Sequence, residues 1–134
     1  MMIALRPPCD TPVSVAASAG LAATTGNARG IICLSVTGTI ARLISRSRPQ
    51  CPIFVVSRDG MTCRQSHLNR GCYPFAYTEP RLEVWEDDVN RRIEWCMEKS
   101  KRQGFLLKGD SVVAVHGWKE GSSATNTVRV LIVK

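Results

Sequence analysis

The sequence contains no long hydrophobic run: no apolar stretch approaches the roughly 20 residues that a membrane-spanning helix needs. The first apolar stretch, Met1–Leu5, is also shorter than the core of about 7–15 residues that secretory signals carry. A hydrophobic share of 44% and a charged share of 22% over 134 residues are typical of one globular domain. We therefore expect a soluble, cytoplasmic protein without membrane contact.

Paired metal-ligand spacings are absent as well. The six cysteines form no Cys-x-x-Cys pair, and His67 and His116 each stand alone. A phosphatase loop would need five residues between cysteine and arginine, whereas six separate Cys51 from Arg58. Cys33 and Cys96 lie inside apolar segments, where cysteine behaves as a small buried side chain. The pattern predicts reduced structural thiols, no metal site and no phosphatase loop.

Acidic residues are scarce in the middle of the chain, where basic residues accumulate. Between Ala28 and Cys72, seven arginines stand against one acidic residue, Asp59, and the whole chain carries a net charge of +7. This balance suits nucleic acid, but the arginines are spread over helices and loops without interleaved aromatic residues. Solvated faces and ion pairs are the first interpretation and small anionic ligands the second. We expect no nucleic-acid partner.

Helix and strand signals alternate along the chain. Thr11-Pro12 is typical of a helix start, and Gly26 and Gly104 are typical of positions just past a helix end. The predicted helices are Thr11–Thr25, Thr39–Ser47, Met61–Leu68 and Glu86–Gln103, and the predicted strands are Gly30–Leu34, Pro52–Ser57, Tyr73–Tyr77, Ser111–His116 and Thr127–Val133. Pro74 cannot donate to a ladder, which predicts a less regular third strand.

This alternation predicts an α/β fold with three layers: a mostly parallel five-stranded sheet with helices on both faces. One domain is expected over residues 11–134, after an irregular N-terminal extension over residues 1–10. Ligands of such folds gather at the carboxyl ends of the strands, where two loops rich in donors follow strands here. The loops are Ser35–Ile40 and Gly117–Ala124. The first opens a helix, so its free N–H groups, hydroxyls and Gly38 predict phosphate capture.

The sequence resembles the C-terminal, allosteric domain of pyruvate kinase from about Val13 to Val133. The residues that carry the resemblance are Val15–Ala19, Ala41–Arg46, Arg48-Pro49, Cys51–Ile53, Arg64-Gln65, His67-Leu68, Arg70-Gly71, Tyr73-Pro74, Trp85–Val89, Gly109-Asp110, Gly117–Lys119, Gly121-Ser122 and Thr125–Val130. The resemblance implies the same α/β fold, with its mostly parallel five-stranded sheet, and a role in glycolysis. In the full enzyme a separate barrel transfers phosphate from phosphoenolpyruvate to ADP with Mg²⁺ and K⁺.

That barrel is absent from this chain, so the resemblance implies no catalysis by this segment alone and no cofactor within it. It does imply an effector site for a sugar bisphosphate such as fructose 1,6-bisphosphate, and assembly as a homotetramer or with the rest of a pyruvate kinase. The effector-binding residues carried over from the family are Ser35, Val36, Thr37, Gly38, Thr39 and Ile40 around the 6-phosphate, Trp85 and Arg92 beside the 1-phosphate, and Gly121, Ser122 and Ser123 in the loop that closes over the sugar.

Four positions depart from the family pattern. Ile40 stands where regulated members carry serine or threonine, and Val36 stands where some carry lysine or threonine. Glu120 replaces a proline and Ser123 a glycine. A lost donor to a charged group costs about 1.5–3 kcal/mol. The alternative is therefore a non-catalytic, self-associating structural module with a degenerate effector pocket, which uses its arginine-rich face and last strand.

Overall fold

The computed structural model describes residues 11–34, 38–117 and 125–134, and the predicted extension over residues 1–10 lies outside them. The elements follow one another as α1 (Thr11–Thr25), β1 (Gly30–Leu34), α2 (Thr39–Arg46), β2 (Ile53–Ser57), α3 (Gly60–Ser66), β3 (Cys72–Ala76), α4 (Trp85–Arg102), β4 (Ser111–Gly117) and β5 (Thr125–Ile132). Each predicted helix and strand is present, with ends displaced by at most two residues.

The five strands form one sheet in the order β3-β2-β1-β4-β5. The first four run parallel, and β5 pairs antiparallel with β4. In the centre, Ile31 lies opposite Ile53 on one side and Val113 on the other. The predicted α/β class with a mostly parallel sheet is confirmed.

Helices cover both faces of the sheet, and its central strands carry apolar side chains on both faces. Ile31 and Cys33 of β1 pack in a cluster with α1 and α2, whereas Ile32 and Leu34 pack in a second cluster with α4. All five residues of β1 are buried, which explains why the strand has no polar alternation. Each fully buried Ile or Leu contributes about 1.5–3 kcal/mol, so these two clusters supply most of the driving force.

The prediction of an irregular third strand was wrong. Pro74 lies opposite Val55 in a continuous parallel register that runs from Cys72 to Ala76. β3 ends the strand order, so it has a hydrogen-bonded neighbour on one side only. A strand at the edge of a sheet tolerates proline because fewer N–H groups need a partner there.

Local signals fix the ends of the helices. The Asp59 side chain accepts a 3.0 Å hydrogen bond from the Met61 N–H and caps α3. In α4, acidic residues fill the first turn and basic residues the last, as the helix dipole favours. Among the described helices, none combines the length and apolar character needed to cross a membrane.

The described cysteines are all free, and several are deeply buried. Burial raises the pKa of Cys72 to about 11 and that of Cys96 to about 12, although a Ser100 hydrogen bond opposes the second shift. These thiols are therefore protonated and unreactive in the folded chain, as expected of structural cysteines.

Candidate anion-binding site

The carboxyl ends of β1 and β4 lie side by side at one edge of the sheet. These strands are neighbours and parallel, with Cys33 opposite Val115. The chain leaves the sheet here after Leu34 and after Gly117, at the start of both donor-rich loops. Open α/β sheets bind ligands at this edge, so the site is built from what surrounds these two strand ends.

On the α2 face, Gly38 holds the turn that opens the helix. Its φ of +80° lies in the left-handed region that favours glycine. Gly38 and Thr39 line a cleft of about 330 Å³ between α2 and α3, and Arg42 places a positive charge at the same cleft. The Ile40 side chain is buried in the core, so only its backbone faces the start of the helix.

On the opposite face, Trp85 joins the start of α4 to the end of β4. Its indole Nε1 donates a 3.0 Å hydrogen bond to the Gly117 carbonyl oxygen. Two turns further along α4, the guanidinium carbon of Arg92 lies 5.3 Å from the centroid of the Trp85 ring. This is within the range of a cation–π contact. The two residues that the resemblance places beside one phosphate therefore touch each other.

Asp88 holds Arg92 from the other side. Its carboxylate is buried and lies 3.0 Å from Arg58 Nη2 and 3.3 Å from Arg92 Nε. The Leu82 N–H also donates to it, over 3.3 Å. Burial raises the pKa of Asp88, but the Arg58 hydrogen bond, the Leu82 N–H and the charge of Arg92 outweigh it, and the net pKa is below the ordinary value. The carboxylate stays ionised at neutral pH.

The Arg92 guanidinium has a hydrogen-bond donor that the described residues do not use. Arg92 is only 8% exposed, and its Nη2 has no hydrogen-bond partner among the described residues. Burial lowers the pKa of Arg92 and the Asp88 charge raises it; the net pKa is below the ordinary arginine value, and the side chain remains a cation at neutral pH. A desolvated guanidinium with an unused N–H is suited to a charge-assisted bond with an anion.

A second cleft, of about 410 Å³, opens beside Trp85 at the end of β4. His116 and Arg129 line it from β4 and β5. The Arg129 Nη1 donates a 2.9 Å hydrogen bond to the Asn90 side-chain oxygen, and His116 Nδ1 lies 2.9 Å from the Gly117 carbonyl oxygen. Burial lowers the pKa of His116, the Gly117 carbonyl opposes this, and the positive charges of Arg129 and Arg92 add to the lowering.

The predicted effector-binding residues thus fall into three groups. Trp85 and Arg92 are in contact on the α4 face, whereas Gly38, Thr39 and Ile40 open α2 on the other face. Ser35, Val36, Thr37, Gly121, Ser122 and Ser123 lie outside the described residues.

Sequence reasoning missed the residues that surround Arg92. An acid four residues before an arginine predicts a helical ion pair, and this spacing could have identified Asp88 as the partner of Arg92. His116 stands alone in the sequence, and no local pattern connects it to Arg129, since β-pairing brings their strands together. Within the described ranges, no cluster of three or more histidine, cysteine or acidic side chains is arranged to hold a metal.

The fold and the clefts define a class: an open α/β domain with clefts at the carboxyl edge of its sheet, each lined by an arginine. Comparison with known proteins gives the family. The family model "Pyruvate kinase, alpha/beta domain" matches residues 13–131. The chain therefore belongs to the pyruvate kinase family and corresponds to its alpha/beta domain.

Individual relatives agree with this assignment. The chain is 40% identical to a pyruvate kinase of Candida albicans over 94% of its own length and 25% of that protein. It is 43% identical to a pyruvate kinase of Hypocrea jecorina over 98% of its length and 25% of the relative. It is 45% identical to the human pyruvate kinase PKLR over 79% of its length and 18% of the relative. The chain thus spans about a quarter or less of these relatives.

Proposed function

We propose that this domain is the regulatory part of a pyruvate kinase and binds a sugar bisphosphate, with fructose 1,6-bisphosphate as the first candidate. The observation that carries the proposal is the contact between Trp85 and Arg92 at the carboxyl end of β4. A buried arginine with an unused N–H, placed where parallel sheets bind ligands, favours an anion.

The cleft between α2 and α3 supports a second phosphate. Thr39 is the first residue of α2, and the start of a helix carries a partial positive charge. Arg42, one turn later, adds a full positive charge to the partial charge of the helix end. In this proposal the predicted loop residues Ser35, Val36 and Thr37 complete this phosphate seat, and Gly121, Ser122 and Ser123 close over the sugar.

Titration calorimetry with fructose 1,6-bisphosphate, and with fructose as the uncharged control, tests the proposal. Heat of binding is expected with the bisphosphate only. Arg92→Ala should weaken binding about ten- to hundredfold, because a hydrogen bond to a charged group is lost. Arg91→Ala is the matched control, since Arg91 is exposed and pairs with Glu79 on the surface. Absence of heat from the unchanged chain would overturn the proposal.

The rest of the activity belongs to a larger assembly in this proposal. The relatives are named pyruvate kinases and are about four times as long as the matched region. Phosphoryl transfer from phosphoenolpyruvate to ADP, with its Mg²⁺ and K⁺, would then take place on the barrel, and this domain would regulate it. The free cysteines suit the reducing cytoplasm, where we place the protein.

A second candidate function is self-association through β5. This strand ends the sheet, and Val130 and Ile132 on it are 59% and 60% exposed. An exposed apolar edge strand is a template for pairing with another copy. Sedimentation velocity over a hundredfold concentration range should show a dimer that Val130→Lys abolishes and that Leu107→Lys, at an exposed apolar residue outside β5, does not. A monomer at every concentration would exclude it.

A further inference from the structure

We propose that His116 and Arg129 determine which anion the site accepts: a sugar hydroxyl donates a hydrogen bond to His116 Nε2 while Arg129 pairs with a phosphate. The inference rests on the proposed function and deepens it, because it adds two residues that the family resemblance does not assign. Both line the cleft of about 410 Å³ beside Trp85. That volume lies within the range of about 300–1,000 Å³ typical of small-molecule sites.

The hydrogen-bonding state of His116 follows from its neighbour. Its Nδ1 lies 2.9 Å from the Gly117 carbonyl oxygen, which can only accept, so Nδ1 carries the proton. In the neutral ring Nε2 is then an acceptor. This atom is buried and has no hydrogen-bond partner among the described residues. An unpaired buried acceptor is unfavourable, and a ligand hydroxyl supplies the missing donor.

Burial and nearby positive charges keep the His116 ring neutral, and Arg129 places a cation at the cleft. Arg129 approaches from β5, Arg92 from α4, and both lower the pKa of His116 beyond the effect of burial. The neutral Asn90 oxygen bonded to Arg129 leaves its charge uncompensated by that contact. Glu86 supplies the opposing charge at the cleft, on the exposed first turn of α4. A phosphate that enters meets Arg129 with a charge-assisted bond.

Together these groups distinguish a phosphorylated sugar from a simple phosphate. Arg129 forms the same ion pair with any phosphate, whereas His116 Nε2 forms a hydrogen bond only with a ligand that carries a hydroxyl donor. A ligand without the hydroxyl enters the cleft and leaves the acceptor unpaired, which is how a polar site rejects an analogue. The chemical class predicted for the ligand is therefore a polyhydroxylated phosphate.

The test compares two bisphosphates of similar length and charge on the full chain. Fructose 1,6-bisphosphate carries hydroxyls, whereas 1,6-hexanediol bisphosphate carries none. The unchanged chain should prefer the sugar by about three- to tenfold, the value of one neutral hydrogen bond. His116→Phe should abolish the preference without weakening binding of the hexanediol ligand, and His116→Gln, which keeps an acceptor, should retain part of it. His67→Phe, at the exposed histidine, is the control.

A separate set of variants tests the phosphate contact of Arg129. Arg129→Gln should weaken both bisphosphates alike, by about tenfold, because it removes a contact to phosphate. The matched control is Arg102→Gln at the exposed end of α4, which should leave both affinities unchanged. In the unchanged chain, nitrogen NMR of the imidazole should show the Nε2 resonance shifting with the sugar bisphosphate and not with the hexanediol ligand, a readout that does not depend on how variants fold.

The outcomes separate the two proposals. If the chain binds fructose 1,6-bisphosphate but has no preference over the hexanediol ligand, or keeps its preference in His116→Phe, the inference about His116 is overturned and the proposed function stands. If Arg129→Gln matches Arg102→Gln, the phosphate role of Arg129 is overturned. If the chain binds neither bisphosphate, the proposed function fails and this inference fails with it.

Discussion

At the scale of single residues, the centre of the site is a carboxylate between two arginines. Asp88 lies at ion-pair distance from the half-buried Arg58 and the buried Arg92, so the charges of Asp88 and Arg92 depend on this pairing to remain buried. Breaking such a pair is costly because it leaves an uncompensated charge in a region of low dielectric. The same carboxylate limits the freedom of the arginine that the proposed ligand would contact.

We therefore expect Asp88→Ala to lower the free energy of unfolding by about 3–5 kcal/mol, since Arg92 would lose its buried partner. Asp87→Ala, on the exposed side of the same helical turn, removes an equal charge near the same helix end and should cost about 0.3–1 kcal/mol. Urea unfolding of both variants measures the difference. Equal losses would show that Asp88 contributes only through the helix dipole.

The lowered pKa of His116 predicts a pH dependence of stability. At pH values between its folded pKa and the ordinary 6.5, the unfolded chain binds a proton that the folded chain does not, so stability falls as the pH drops through this window. Unfolding curves at pH 7.5 and 5.5 should show a loss that His116→Gln reduces. His67→Gln is the control, because His67 is exposed. An unchanged loss in His116→Gln would contradict the prediction.

Single-residue environments were the part of the site that the sequence predicted least. The identity of Arg92 was available from the resemblance, but its burial against Trp85 depends on how α4 packs on the sheet. The buried position of Ile40 was likewise not evident, because α2 begins in a loop and turns its first apolar side chain inward. Local patterns report spacing along one element and carry little information about contacts between elements.

At the scale of elements, close packing between β1 and β2 is set by a glycine. A Cβ on Gly30 would lie 2.6 Å from Cε2 of Phe54, well inside normal contact distance. Phe54 has little room to move, because its ring centroid lies 5.5 Å from that of Phe75 and 5.4 Å from that of Phe105. The start of β1 therefore requires the absence of a side chain.

Gly30→Ala should accordingly destabilise the fold by about 1–3 kcal/mol through overpacking. Gly60→Ala is a suitable control, because its new Cβ would meet only the mobile end of Arg64, at 3.3 Å, and alanine favours the helix that begins there. Thermal unfolding should show a lower midpoint for the first variant and no loss for the second. A neutral Gly30→Ala would indicate that the aromatic cluster can rearrange.

Element positions were predicted well for a physical reason. Helix α4 carries its dipole-matched charges and a glycine stop within one segment, so its ends differ from the prediction by one residue. For β3 the position was predicted correctly but the regularity of the strand was not. Tolerance of Pro74 depends on the place of the strand in the sheet and not on its own sequence. Edge position is decided by the whole topology.

At the scale of the whole molecule, the sheet divides the core into two clusters that share the same strands. Cys33 belongs to the cluster under α1 and α2, and Cys96 to the cluster under α4. Because β1 contributes alternate residues to both, loss of one cluster should remove the support of the other. A domain of this kind is expected to unfold in one cooperative step.

Thiol labelling tests this coupling. Cys33 and Cys96 should both resist alkylation in the native chain. As the urea concentration is raised, their alkylation rates should increase together, since each thiol is exposed only by global unfolding. Cys63, which is half-buried on α3, should react earlier and serves as an internal control. Mass spectrometry of alkylated peptides measures each rate. Reaction of Cys96 well before Cys33 would show that α4 opens on its own.

The reversed direction of β5 has a practical consequence for any binding measurement. Ser111 at the start of β4 lies opposite Ile132 near the end of β5, so Lys134 emerges at the sheet edge farthest from both clefts. A sensor surface linked through that residue would present the clefts to the flowing analyte. Coupling through Lys101 would disturb the contact between its ammonium group and the Lys134 carbonyl oxygen, at 2.6 Å. Immobilisation by a peptide tag placed after Lys134 is thus the orientation of choice.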